Sequence, residues 1–510
     1  MSSTANRIIK NTGYLYAKMG ITMFISLYTT RLILNSLGAS DFGIYNIVGG
    51  AIAMLGFLNS AMAGATQRFM SFTEGEGNKE KQKGIFNVSL VLHFCIAIIA
   101  GVALIIAGIF FFNGILNIPT ERVFAAKVVY GSFIVSTMFT VMTVPYDAAM
   151  NAHENMRYYA IVGIVESLLK LSVAFVCVYT LFDKLIVYGS LMASIPLITL
   201  TIMRVYCHRH YEECTMNLKH YWDKGLMKEM TSFAGWNFCS SAASFLTMQG
   251  MSIVLNMFGG VIVNAAHGIA NQVSGMLMVF SNNMLKALNP VLVKSRGAGD
   301  TNKMLRAAAS GNKLSFLIYT FFAIPFIMEC PFILDLWLKN TPDYAVLFVR
   351  LVLIRQMVSQ MMVALDTCIS ATGNISKFTI SSSVIWISPL VISYIMYKHG
   401  APIETIYILL ICASFARIVN SMVFCHILCK LRYKDYIFNT ILPCIGQSII
   451  IFSILLLINF YLAESWMRVG ISLLVTVIFH PTIAYFVSFS RHEQNMVKDF
   501  IRVKIQHKTN

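Results

Sequence analysis

The chain has 510 residues, of which 57% are hydrophobic and only 12% charged, with a mean hydropathy of +0.68. Soluble globular chains carry charge on about a quarter of their residues, so this composition excludes a soluble enzyme or binding domain and requires a polytopic membrane protein. The formal net charge of +16 would suit nucleic acid, but the basic residues alternate loop by loop in the way that sets membrane orientation, which excludes that partner.

Windows of about 20 apolar residues between charged or Pro/Gly-marked breaks predict fourteen membrane helices, starting near residues 11, 42, 84, 123, 158, 185, 229, 261, 309, 343, 376, 403, 438 and 466. Met1 to Gly13 holds two basic residues ahead of an apolar run. That run is too long for a signal peptide and no small-residue cleavage site follows, so it is expected to be the first helix. With the N-terminus cytoplasmic, 26 of the 39 Lys and Arg fall on the cytoplasmic face, 6 on the other and 7 inside helices. Both termini are therefore expected in the cytoplasm, with the basic tail near anionic lipid headgroups. Most of the eleven cysteines lie inside spans, where Cys behaves as a small hydrophobe, so disulfides are not expected.

In helices 1 to 6, "LNSLGASDFGIYN" (Leu34 to Asn46) ends one helix and opens the next, and "LNMFGGVIVNAAHG" (Leu255 to Gly268) echoes it in helices 7 and 8. The stretch from Gly38 to Gly77 spans 39 residues and that from Gly259 to Gly299 spans 40, an offset of about 221, or six helices. An even number of helices gives the copies the same orientation. The expected architecture is all-α: an N-lobe of six helices (1–206), a basic linker (207–228), a C-lobe of six helices (229–429), two further helices (430–489) and a basic tail (490–510). Repeated transporters bind their cargo between repeats, so a central cavity is expected.

Several helices carry a polar face. Helix 2 has Asn46, Gly49, Ala53, Ser60, Ala63 or Gly64, and Gln67 at helical spacing; helix 7 has Asn237, Ser241, Ser244, Met248 and Ser252. Helix 8 has Asn264, His267, Asn271, Gly275, Met278, Asn282, Lys286 and Asn289. Lipid cannot satisfy such groups. They are either the small and polar residues by which membrane helices pack or the wall of a hydrated cavity.

Ionisable groups at mid-span are costly and usually functional. Arg355 lies about a dozen residues into helix 10, with Ser359, Met362, Asp366 and Ser370 continuing its face, and Arg417 sits in helix 12 beside Ser414 and Ser421. Glu166 and Lys170 form an i,i+4 pair in helix 5, either a structural ion pair or a coupling site. Arg31, Arg68 and Lys286 lie near helix ends, where they either snorkel or contact an anionic substrate. The repeat places Lys286 within a turn of Arg68. A cationic cavity suits a phosphate-bearing ligand.

No HExxH, GxxxxGK[ST], GxSxG or CxxC pattern occurs, and "CHRHYEEC" (Cys207 to Cys214) lacks a repeating metal-ligand spacing, so neither catalysis, a cofactor nor a metal is expected.

The stretches "TTRLILNSLGASDFGIYNIVGG" (Thr29 to Gly50) and "ATQRFMSFTEGEGNKEKQKGIFN" (Ala65 to Asn87) resemble the polysaccharide transporter family. These are the Wzx-type flippases of the multidrug/oligosaccharidyl-lipid/polysaccharide superfamily. The resemblance implies two lobes, alternating access and a polyprenyl-diphosphate-linked oligosaccharide of the undecaprenyl type as cargo, with polysaccharide polymerase machinery as a partner and a monomer as the working unit. By motif position, Arg31, Arg68 and Lys286 match the family's cavity cations. The lipid II branch carries an Arg-Asp pair in its first helix; here Leu32 follows Arg31, which favours an O-antigen or capsule repeat unit. A cation-coupled drug or metabolite antiporter of the same superfamily is the alternative.

Overall fold

The computed structural model describes residues 2–53, 56–115, 118–338, 340–491, 493–495 and 498. Of the expected elements, the tail residues 499–510 lie outside the described residues, as do the side chains of Ala53 and Ser60 in the seam of helix 2. The described chain is helical throughout its ordered elements, with no strand. In order the helices are α1 (Ser2–Ala53), α2 (Gly56–Glu76), α3 (Lys79–Phe110), α4 (Val123–Ala152), α5 (Met156–Tyr179), α6 (Lys184–His210), α7 (Leu218–Tyr221) and α8 (Lys224–Gly297). They continue as α9 (Thr301–Leu338), α10 (Ala345–Gln360), α11 (Val363–Ala371), α12 (Ser376–Lys398), α13 (Thr405–Cys429), α14 (Tyr433–Tyr436), α15 (Leu442–Tyr461) and α16 (Trp466–Ile483).

The two echoed sequence stretches fold alike. Gly38 breaks α1 with φ 76° and ψ 168°, and Gly260 breaks α8 with φ 75° and ψ −169°. A side chain at either position would be strained, since this backbone region is open only to glycine. Gly77 (φ 72°) and Gly299 (φ 78°) form a second matched pair at the turns that follow. Both pairs are 222 residues apart. The copies are thus one residue further offset than the sequence echo gives, because Gly260 and not Gly259 takes the break. Helices 1 and 2 of the sequence reading therefore run on across one glycine, as do helices 7 and 8.

Among the described residues ten helices are long and apolar enough to cross a membrane, or eleven with α10 and α11 taken as one bent span. Fourteen spans were expected; α8 enters this count once although Gly260 divides it.

The chain forms two compact units, one of Arg7–Ser241 and Val293–Gly299 and the other of Met1–Asn6, Ala242–Leu292 and Asp300–Asn510. The core of the first gathers Ile44 and Val48 of α1, Leu104 of α3, Val129 and Tyr130 of α4 and Leu185 of α6. At one end of this unit Arg122, in the turn before α4, pairs with Asp41 of α1 (Nη2 to Oδ2, 2.5 Å) and with Asp183 (Nη1 to Oδ2, 2.6 Å), the residue that caps α6. One guanidinium thereby fastens three segments. Its hydrogen bonds, with those from the backbone N–H of Ile186 and Leu185, hold the Asp183 carboxyl below the usual carboxylate range.

The second unit is built on α9, which packs on α10, α11, α15 and α16. Sequence placed Arg355 and Asp366 on one continuous helix face, but the chain bends by 41° at Met361–Met362, separating α10 from α11. The cause is Asn312 of α9. Its Nδ2 donates to the carbonyl of Met361 (3.0 Å) and its Oδ1 accepts from the N–H of Ala364 (2.7 Å), while the Tyr436 hydroxyl also donates to Met361. A buried side chain supplies the bonds the helix gives up, which lets a membrane helix break. Arg468, counted from sequence among loop charges, is 5% exposed within α16 and pairs with Glu329 of α9 at 3.0 Å. Ser472 donates to the same carboxylate at 2.8 Å.

Replacing Asn312 with Leu strands the Ala364 N–H and is expected to destabilise the purified protein by about 2 kcal/mol, read as a lower Tm in detergent. The Arg122 staple carries a pH signature. Because the folded pKa of Asp183 is depressed, its contribution to stability is present above the unfolded value near 3.8 and is lost as pH falls through the folded value. Arg122→Gln is expected to lower Tm at neutral pH and to flatten its fall on acidification, as a series of melts below about pH 5 would record.

Candidate functional site

In the second unit four helices bring charge together. Ser381 and Ser382 of α12 hydrogen-bond Asn420 of α13 at 3.0 and 2.9 Å, which sets these two helices side by side. Trp386, one turn further along α12, receives a bond from Thr247 to its carbonyl (3.3 Å). Its indole is approached by two guanidinium groups, Arg355 of α10 at 5.3 Å and Arg417 of α13 at 5.4 Å from the ring centroid. Arg417 also pairs with Asp366 of α11 (Nη2 to Oδ2, 3.0 Å), and Ser421 donates to the other carboxylate oxygen at 2.5 Å.

The sum of these charges is one positive in excess, with two like charges sharing one aromatic ring. A cation over an indole keeps some of its attraction to an electron-rich surface without being neutralised. Three buried N–H groups here lack a hydrogen-bond acceptor: Nε of Arg355, Nε of Arg417 and Nε1 of Trp386. An unpaired buried donor costs about 1–3 kcal/mol. Three around one excess positive charge describe a place for an anion with several acceptor oxygens, such as a phosphate.

Beside it, His267 of α8 is 4% exposed. Asn271 donates to its Nε2 at 2.9 Å, leaving Nδ1 to donate to the Tyr407 hydroxyl at 2.7 Å. The polar face of this helix is therefore hydrogen-bonded into the protein at its middle. Further along, Asn282 is exposed, with no hydrogen-bond partner among the described residues, and Lys286 is half-buried.

The remaining sequence candidates lie elsewhere. Arg31 is exposed on α1. Arg68 of α2 is buried, with its guanidinium 4.6, 4.8 and 5.3 Å from the rings of Phe69, Phe72 and Phe233. Glu166 and Lys170 pair at 2.6 Å in the first unit. In "CHRHYEEC" Cys207 and Cys214 are hydrogen-bonded to each other and Glu213 accepts from His153, but no group of three or more His, Cys, Asp or Glu among the described residues could hold a metal.

Sequence reasoning missed Trp386 and the pairing of Asp366 with Arg417. A signal for the first was present in Ser381, Ser382 and Ser383, a polar run one turn before a lone tryptophan in mid-span. The pairing had none, because the bend at Met361 turns Asp366 away from the face on which periodicity placed it.

Solved structures share this fold. A crystal structure of a MATE mutant aligns with a TM-score of 0.73 at 13% identity, over 84% of this chain and 97% of that one. The outward-facing conformation of a multidrug resistance MATE family transporter of the MOP superfamily aligns at 0.69 and 13%, over 83% and 95%. A MOP superfamily transporter from Pyrococcus furiosus, described as having a binding pocket of reverse polarity that suggests a different function, aligns at 0.68 and 14%, over 85% and 96%. These likenesses show that the chain has the all-α fold of those proteins. No curated protein matches. The model of the polysaccharide biosynthesis protein family matches residues 8–296, more than half of the 510, so the chain belongs to that family.

Proposed function

We propose that the protein is a flippase that carries a polyprenyl-diphosphate-linked oligosaccharide, an O-antigen or capsule repeat unit, across the bacterial inner membrane by alternating access. On this reading both termini are cytoplasmic. The family and the fold favour a transporter over a catalyst. The observation that carries the cargo class is the Trp386 cluster, where two arginines and an indole present unpaired N–H groups around a net positive charge. A diphosphate concentrates negative charge and acceptor oxygens in one group of a lipid-linked sugar, and guanidinium forks match its geometry. Arg31, Arg68 and Lys286 are then secondary cations for the same anionic cargo.

A cation-coupled drug exporter needs accessible acids for lipophilic cations. Asp366, the acid of this cluster, is held by Arg417 and Ser421, which favours the anionic cargo.

Deletion is expected to abolish the surface glycan and to leave undecaprenyl-linked repeat units accumulating on the cytoplasmic side. Arg355→Gln and Arg417→Gln each remove a charge-assisted contact of about 1.5–3 kcal/mol, so each is expected to slow flipping roughly tenfold to a hundredfold with the protein still folded. Radiolabelled lipid-linked intermediates, measured in cells carrying each variant, check this; normal glycan display in the deletion strain removes the reading. Export of lipophilic cations by reconstituted protein, with no effect on the glycan, supports the antiporter instead.

A further inference from the structure

The first unit contains a cavity of about 190 Å³ between α1, α4, α5 and α6, distinct from the Trp386 cluster. It is smaller than the roughly 300–1,000 Å³ of pockets for drug-sized ligands, and so admits one ring-sized group. Asp147 stands five residues before the end of α4 and Tyr159 three residues after the start of α5, about 8 Å and 5 Å of helix rise. The polar lining therefore begins near the membrane face that bears the α4–α5 turn, which is the cytoplasmic face on the orientation proposed above, and continues inward to Thr140 and Glu166.

The lining is unusual for a membrane-embedded bundle. Lys18 reaches in from α1 with its ammonium 4.3 Å from the centre of the Tyr159 ring. It takes this position across Gly163: a Cβ there would lie 2.1 Å from Lys18 Cε and 2.5 Å from Nζ, so a larger residue would move the lysine's end. Asp147 and Glu166 bring two carboxylates, and Thr140, Thr143 and Thr199 bring three hydroxyls. Each hydroxyl already donates to a backbone carbonyl, of Ser136 (2.8 Å), Thr140 (2.7 Å) and Pro196 (3.0 Å). Each therefore has only acceptor capacity left for a ligand. Charge is balanced locally, since Lys18 and Asp147 share the cavity wall while Glu166 holds Lys170 at 2.6 Å.

A lining that is rich in acceptors, with its charges balanced once Lys170 beside Glu166 is counted, selects a ligand rich in donors and neutral overall. Two carboxylates disfavour an anion. The tethered ammonium of Lys18 occupies space that a free metal cation would need, and no metal-holding group of His, Cys, Asp and Glu occurs among the described residues. The ligand class that remains is a polyhydroxylated ring. We propose that this cavity is a sugar subsite, which takes one neutral monosaccharide unit of the cargo through hydroxyl hydrogen bonds to Asp147, Glu166 and the threonines. The proposal rests on the flippase reading for its cargo.

Two measurements on the full-length protein separate the two ideas. The first is melting of the purified protein in detergent with the neutral monosaccharides released by acid hydrolysis of the producing strain's own surface glycan, against glycerol and sodium chloride as controls. Tm is expected to rise with the sugars alone. The rise is expected to disappear in Asp147→Asn and Gly163→Ala, the latter displacing Lys18, and to persist in Arg355→Gln. Thr143→Val keeps shape and loses one acceptor, so it is expected to weaken the response even if a charge variant folds poorly. The second is glycan display in cells, expected to fall roughly tenfold in Asp147→Asn, the worth of one hydrogen bond to a charged group. No rise with sugar, an equal rise in the cavity variants, or a rise with sodium chloride alone overturns the subsite. If wild-type Tm responds to sugar but deletion leaves the glycan intact, the flippase reading fails while the sugar site stands.

Discussion

Lipid offers no hydrogen bonds, and that single constraint organises what can be read from this protein. Each polar group within the spans must find its partner inside the chain. Most do, by contacts that serve the fold: Arg468 on Glu329, Thr320 on His480 at 3.1 Å, Asn312 on the broken turn at Met361. Against this background the N–H groups of Arg355, Arg417 and Trp386, unpaired among the described residues, stand out because they belong to one cluster and two of them to residues of like charge. Packing alone would not bring two guanidinium groups to one indole with a single carboxylate between them.

The same constraint explains which parts of the fold were legible in the sequence. Apolar windows located α4, α5, α6 and α12 to within two residues, because a span must be apolar along its length and its ends are charged or broken. The paired glycine breaks were legible as an echo between Leu34 to Asn46 and Leu255 to Gly268, since only glycine takes the positive φ of Gly38 and Gly260. What sequence could not supply was anything made by tertiary contact. The bend at Met361 is imposed by Asn312, some fifty residues earlier in the chain, and the helical periodicity that joined Arg355 to Asp366 assumed a straight helix. Trp386 carried weight only after α12 and α13 had been set side by side.

The two units surround a buried arginine differently. Arg68 lies against three phenylalanine rings. Arg355 and Arg417 share one ring and one carboxylate, so the charge is only partly answered. Cation–π contact stabilises a guanidinium while leaving the edges of its fork free for oxygen ligands.

A carrier must also release what it binds, and Asp366 bears on that requirement. Two bare arginines facing a diphosphate would form a deep well, and a deep well slows the return of the empty carrier. Asp366 holds Arg417 at 3.0 Å and is itself held by Ser421, so on the flippase reading an arriving anion displaces a contact that re-forms when it leaves. The anion then gains only the difference between the two pairings. On the flippase reading this exchange lets one lobe recognise a doubly charged headgroup without trapping it, and it follows from the placement of one carboxylate in a cluster otherwise made of cations.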